Sequence, residues 1–177
     1  MSEPRIPGAN GSDLELPCGH SVDPDALDLG MRAYRCDCGD HHAVVMDVHP
    51  LSRWIPESVE AVFTETIETA DDHQAFSTIH LMGLVLEEYP ESVVAADMTE
   101  HDALGCAMLW ITTFDARRLH IIIIELLVEL MEHAMSHAAD TETQATFEAD
   151  LFAFDVDAFV DAYRTERDFH GPSDQPV

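Results

Sequence analysis

The sequence predicts an α+β protein, mostly α, in which a small metal-bound β-hairpin module precedes a helical body of about five helices with one further hairpin. Three observations predict it. Cys18-Gly19-His20 and Cys36-Asp37-Cys38 place soft and borderline metal ligands in two tight clusters, fifteen residues apart. Two short stretches rich in apolar and β-branched residues, before and after a glycine turn, surround the second cluster. From Glu57 onward, apolar residues recur mainly at helical spacing.

Residues 1–12 contain Pro4, Pro7, Gly8 and Gly11 with almost no apolar side chains, which predicts a mobile tail. The metal module is expected over 13–50. Leu14-Glu15-Leu16 alternates and leads into the first ligand pair. Asp23-Pro24 supplies an N-cap and a proline at the first helical position, and Gly30 a stop, so 23–29 should hold one or two helical turns. Met31–Cys36 and Ala43–Val48 are strand-like, with Gly39 in the turn between them. That glycine permits the positive φ a tight ligand loop needs.

The helical body is expected over 51–170. Val59, Val62, Phe63 and Ile67 define a first helix. Phe76, Ile79 and Leu86 define a second, stopped by Pro90. Ser92–Met98 and Leu104–Thr112 flank a polar segment and predict a hairpin. Asp115 caps a long helix ending near His137, apolar around most of its circumference except for Arg118, Glu125, Glu129, Glu132 and Ser136, so it should be central. Thr141 with Gln144 matches a capping box for a fourth helix, and Asp155 caps a fifth running to about Arg167.

Zn²⁺ favours four S/N ligands in a tetrahedron, and a full Cys₃His set leaves no position for substrate. The expectation is therefore one structural zinc held by Cys18, His20, Cys36 and Cys38, with His41 or His42 able to replace His20. The alternatives are unligated thiols or a Cys18–Cys36 disulfide, and reducing surroundings disfavour the latter. Glu129, His133 and His137 follow i, i+4 spacing and form a second, weaker metal candidate. Histidine near a helix C-terminus is also favoured by the helix dipole alone. His120 and Cys106 read as core packing. The motifs HExxH, GxSxG, GxxxxGKS and GxGxxG are absent, so no catalytic constellation is recognised.

Charge is extreme: 35 acidic residues against 8 basic ones give a formal −27, and every basic residue is arginine. Such a surface repels itself in dilute buffer, whereas at molar salt the Debye length shrinks to about 3 Å. The acids are spread from Glu3 to Asp174, which suits salt adaptation better than mimicry of nucleic acid. The polar N-terminus lacks a secretory signal, and no segment reads as membrane-spanning, so a cytoplasmic location is expected. Arg35, Arg53 and Trp54 fall in or beside the module. They are the expected contact residues for a macromolecular partner, either a protein or, using the same basic and aromatic side chains, a nucleic acid; the alternative for Trp54 is a packing role that seats the module on the helical body.

The segments LPCGHSVDPDALDLGMRAYRCDCGDHHAVVMDVHPLSRW, HLMGLVLEEYP, RRLHIIIIELLVELMEHAMSH and RTERDFHGP resemble an uncharacterised protein family of halophilic archaea, known as a domain of unknown function. The resemblance covers nearly the whole chain. It implies salt adaptation and carries no activity. The N-terminal module also resembles a zinc ribbon, though with one residue between the ligands of each pair where ribbons have two. The functional expectation is a non-enzymatic, zinc-stabilised protein that binds another macromolecule.

Overall fold

The computed structural model describes residues 13–66, 76–99, 106–138, 141, 142, 145 and 154–167. The expected tail at 1–12 lies outside them. A two-stranded antiparallel ribbon pairs β1 (Leu14–Glu15) with β2 (Ser21–Val22). A 3₁₀ turn at Pro24–Ala26 stands where one or two helical turns were expected. Then come β3 (Ala33–Arg35) and β4 (His41–Met46). A second 3₁₀ turn, Leu51–Arg53, leads to α1 (Glu57–Thr66) and α2 (Thr78–Glu88). The hairpin β5 (Val93–Asp97) and β6 (Met108–Thr112) precedes α3 (Ala116–Ala138) and α4 (Val156–Glu166).

Four helices are thus described against the five expected. The helix expected from Thr141 lies outside the described residues, apart from Thr141, Glu142 and Ala145, which are helical. The caps act as the sequence predicts. Asp115 Oδ1 accepts from the Arg118 N–H at 2.7 Å, and Asp155 Oδ1 from Ala158 N–H at 3.1 Å. At the start of α2, His80 Nδ1 accepts from Ser77 N–H at 3.0 Å, so an imidazole fills the capping-box role usually given to Glu or Gln.

The two expected hairpins form one sheet. Its strand order is β3-β4-β6-β5, and every pairing is antiparallel. The sheet runs across the expected boundary at residue 50, because β4 pairs with β6 through Val44↔Ile111, Val45↔Trp110 and Met46↔Leu109.

This pairing explains why β4 is apolar at every position from Ala43 to Met46: both faces are covered. Side chains alternate across a strand. Ala43, Val45 and Trp110 pack with the helices, in a core that includes Phe63, Leu81, Val85, Ile122 and Val160. Val44, Met46, Leu109 and Ile111 face the other way, against Leu16, Val22, Leu27, Cys36 and Met98. The sheet is therefore the middle layer, with the helices on one side and the N-terminal segment on the other.

The long helix α3 contacts β4, α2 and α4, as its apolar circumference requires, and its polar stripe of Arg118, Glu125, Glu129, Glu132 and Ser136 is exposed. In α1 only Phe63 of the described apolar positions is buried, stacking towards Phe76 at 6.3 Å, whereas Val59 and Val62 face outward. The helical spacing is present there, but the packing rests on a single aromatic residue.

Candidate metal centre

Two loops of the same construction build the site. In Leu16-Pro17-Cys18-Gly19-His20, Leu16 N–H donates to His20 O at 2.7 Å and Gly19 N–H to Leu16 O at 3.0 Å. In Cys36-Asp37-Cys38-Gly39-Asp40, Cys36 N–H donates to Asp40 O and Gly39 N–H to Cys36 O, both at 3.0 Å. Each loop turns on a glycine in the left-handed region, Gly19 at φ 90° and Gly39 at φ 98°, which a side chain would strain. Each therefore presents its third residue, Cys18 or Cys38, at the tip. The second loop also contributes Cys36 from its first position, where the equivalent residue of the first loop is Leu16.

The fourth donor comes from β4. His42 lies on the same strand face as Val44 and Met46, two and four residues on, and so points towards the N-terminal layer. Its Nε2 is 3.4 Å from Cys38 Sγ, and Cys18 Sγ is 3.8 Å from Cys36 Sγ. The ligand atoms of Cys18, Cys36, Cys38 and His42 all lie within 4.8 Å of one another. A tetrahedral zinc with Zn–S bonds of about 2.3 Å separates its sulfurs by about 3.8 Å. The donor set and its spacing both fit that ion.

The tautomer of His42 is fixed from behind. Its Nδ1 lies 2.8 Å from the carbonyl oxygen of Thr112, which can only accept, so Nδ1 carries the proton and Nε2 offers its lone pair to the cluster. Both residues are buried. The Thr112 carbonyl is held in turn by a tight corner: Thr112 Oγ1 donates to Phe114 O or Ala43 O and accepts from Phe114 N–H at 3.1 Å.

The sulfurs do not ionise alike by themselves. Desolvation acts to raise the Cys18 thiol, but hydrogen bonds from the His20 backbone and ring and from Cys36 and Cys38 outweigh it and bring it down to about 6. Burial, with the neighbouring Cys38 and Cys18 sulfurs, pushes Cys36 up to about 11. A divalent cation among them supplies the charge that lets all three act as thiolates.

Of the expected ligands, Cys18, Cys36 and Cys38 are brought together. His20 does not join them as expected: its Nδ1 is 3.6 Å from Cys18 Sγ, but it stands outside the group of four, and His42 takes that place. The reason is topological, since His20 sits at the end of its loop, where Asp40 sits in the other. His41 points to solvent.

The expected contact residues divide. Arg35 is exposed. Arg53 and Trp54 are buried, at 3% and 6% exposure, Arg53 where a surface contact was expected and Trp54 in the packing role that was its alternative. Arg53 Nη2 donates to the carbonyls of Gly30 and Met31 at 3.1 and 3.2 Å, and Trp54 belongs to the helical core, where its carbonyl accepts from His120 Nε2–H at 2.8 Å. Glu129 and His133 are exposed on α3 and belong to no cluster of three ligands among the described residues, and the side chain of His137 lies outside them.

The sequence matches a family of unknown function, DUF5815, over residues 14–167. The chain belongs to this family. The match begins at β1 and ends one residue past α4, so DUF5815 takes in both cysteine-bearing loops, the sheet and all four described helices. No curated protein and no solved structure matches the chain. No helix among the described residues is long and apolar enough to cross a membrane.

Proposed function

We propose that this DUF5815 protein is a non-enzymatic, zinc-stapled protein that works by binding another protein in the cytoplasm of a salt-adapted cell. One observation supports the reading: the donor atoms of Cys18, Cys36, Cys38 and His42 lie within 4.8 Å of one another, a spacing that suits a four-coordinate zinc, and the Thr112 carbonyl orients His42. A site with four protein ligands holds structure together and has no position for a substrate. Zinc there would join two segments, the first loop and the second loop with its adjoining strand β4, whose Cys18 and Cys36 stand 18 residues apart, so its binding free energy would be folding free energy.

The charge of −27 without lysine supports the salt-adapted setting. A protein partner is favoured over nucleic acid because a net charge of −27 repels a polyanion; the burial of Arg53 and Trp54 removes them as contacts for either. The test is metal counting on protein purified at molar KCl. One zinc per chain is expected in the wild type and none in Cys36→Ser, with no hydrolytic turnover in either. Full zinc content in Cys36→Ser would overturn the reading.

A further inference from the structure

The four donors of the metal centre are unequally placed. Cys36, Cys38 and His42 belong to one hairpin, whereas Cys18 comes from the first loop and is the only donor of the four that is exposed. Cys36 and His42 are buried, and Cys38 is half-buried. The Cys18 sulfur nevertheless lies 3.8 Å from that of Cys36. We propose, resting on the zinc reading above, that the site is a redox switch: a hydroperoxide oxidises Cys18, Cys36 closes on it as a disulfide, and zinc is released.

The chemistry takes two steps. The Cys18 thiolate attacks a peroxide oxygen; the S–O bond forms, the O–O bond breaks and, for hydrogen peroxide, hydroxide leaves, so Cys18 becomes a sulfenic acid. The Cys36 thiolate then attacks the Cys18 sulfur; the S–S bond forms, the S–O bond breaks and a second hydroxide leaves. Two thiolates have given up two electrons, and one peroxide has become two hydroxides. The structure favours each step. Cys18 stands at a loop tip with open space beside it, since a Cβ on the adjacent Gly19 would meet no atom within 4 Å other than its own chain neighbours. The sulfurs need only close from 3.8 Å to about 2.0 Å. Cys106, the remaining cysteine, is buried and outside the group. The new disulfide ties the same two loops that zinc would join, so the N-terminal layer stays on the sheet. Cys38 and His42 are then the two donors left, too few for a closed zinc site. Reversal needs only a dithiol: its thiolate attacks the exposed Cys18 sulfur, Cys36 leaves as thiolate, and the second thiol completes the reductant's own disulfide. In reducing surroundings such a disulfide is transient, as a sensor requires.

The experiment uses the intact chain in molar KCl, with its zinc counted first. Hydrogen peroxide is added in small excess and released zinc is followed with a chromogenic indicator. Free thiols are then alkylated for peptide mapping by mass spectrometry. Zinc release should keep pace with formation of a Cys18–Cys36 disulfide, with Cys38 and Cys106 recovered alkylated. Dithiothreitol with added zinc should restore the loaded form. Cys18→His keeps four S/N donors but removes the exposed thiol, so it should release zinc at least about tenfold more slowly. A chain that holds no zinc before oxidant is added would overturn the zinc reading, and the switch with it. A zinc-loaded chain that keeps its metal under peroxide would leave that reading standing and overturn the switch alone. So would loss of zinc with a Cys36–Cys38 disulfide or a sulfinic acid in place of the Cys18–Cys36 bond, or a zinc-loaded Cys18→His that releases as fast as the wild type. Should that variant hold no zinc, the mapping of the wild type decides by itself.

Discussion

His42 Nδ1 donates to the carbonyl of Thr112 across 70 residues of sequence, and this one bond connects the thiol cluster to the last strand of the sheet. It fixes the ring so that Nε2 faces Cys38, and it makes the metal site depend on β6 being in register with β4. Assembly of the sheet should therefore precede completion of the site. A Thr112→Val change removes the hydroxyl that holds the 112–114 corner while keeping the carbonyl. It should weaken zinc affinity by about tenfold or more, the usual cost of loosening a group that orients a ligand. Competition against a chromogenic chelator measures this directly.

Arg53 and Trp54 are adjacent, yet they serve different layers. Arg53→Ala leaves the Gly30 and Met31 carbonyls without that donor and should cost about 3 kcal/mol, chiefly by freeing the N-terminal layer. Trp54→Ala opens a hole in the helical core and should cost about 3–5 kcal/mol. Chemical denaturation in molar KCl gives both values. A neutral Arg53→Ala would show that the carbonyl clamp is dispensable.

Much of this arrangement was legible in the sequence. The two ligand loops were visible because three of the four cysteines fall there, each loop with a glycine and a histidine in or beside it. The long helix was visible because its apolar positions nearly encircle it, and its exposed stripe is the predicted one. The fourth ligand was less legible. His20, His41 and His42 have the same chemistry, and only the alternation of β4, which sets His42 beside Val44 and Met46, separates them. The burial of Arg53 was not legible, because the Gly30 and Met31 carbonyls that hold it lie more than twenty residues away and carbonyls leave no mark on a sequence; its local partner, the His49 ring, is itself buried only through the fold. Nor was the merging of the two hairpins, since β4–β6 pairing is set by tertiary packing. The all-apolar run Ala43–Met46 was its one sign, as a strand covered on both faces needs no polar side.

Acid should act on this protein through His120. Its folded-state value of about 4 lies below the ordinary 6.5, so between those limits the unfolded chain binds a proton that the folded chain does not. Stability from this group is therefore full above pH 6.5 and falls with pH down to about 4. The total is about 3 kcal/mol as an upper figure. The difference in unfolding free energy between wild type and His120→Gln, followed over that range, isolates it from the surface carboxylates. A difference that does not change with pH would contradict the assignment.

Tyr163 attaches α4 to the turn before α1. Its hydroxyl reaches the Ile55 carbonyl at 3.0 Å and also the Ser52 carbonyl, while Arg167 Nη1 donates back to it at 2.8 Å. Tyr163→Phe should cost about 1–2 kcal/mol without changing metal content, because the ring keeps its packing against His120 at 5.7 Å and only the polar contacts are lost. Equilibrium unfolding paired with a zinc assay checks both halves.

Repulsion among the surface acids should be strongest in dilute buffer. The melting temperature should rise from low to molar KCl as the Debye length shrinks. A flat or falling curve would contradict salt adaptation.

The central claim is that one zinc is held by Cys18, Cys36, Cys38 and His42. Zinc per chain, measured by mass spectrometry on wild type, His42→Ala and His20→Ala after dialysis against a moderate chelator, tests it most directly. The account predicts one zinc in the wild type, one in His20→Ala and none in His42→Ala. Zinc retained by His42→Ala and lost from His20→Ala would contradict it.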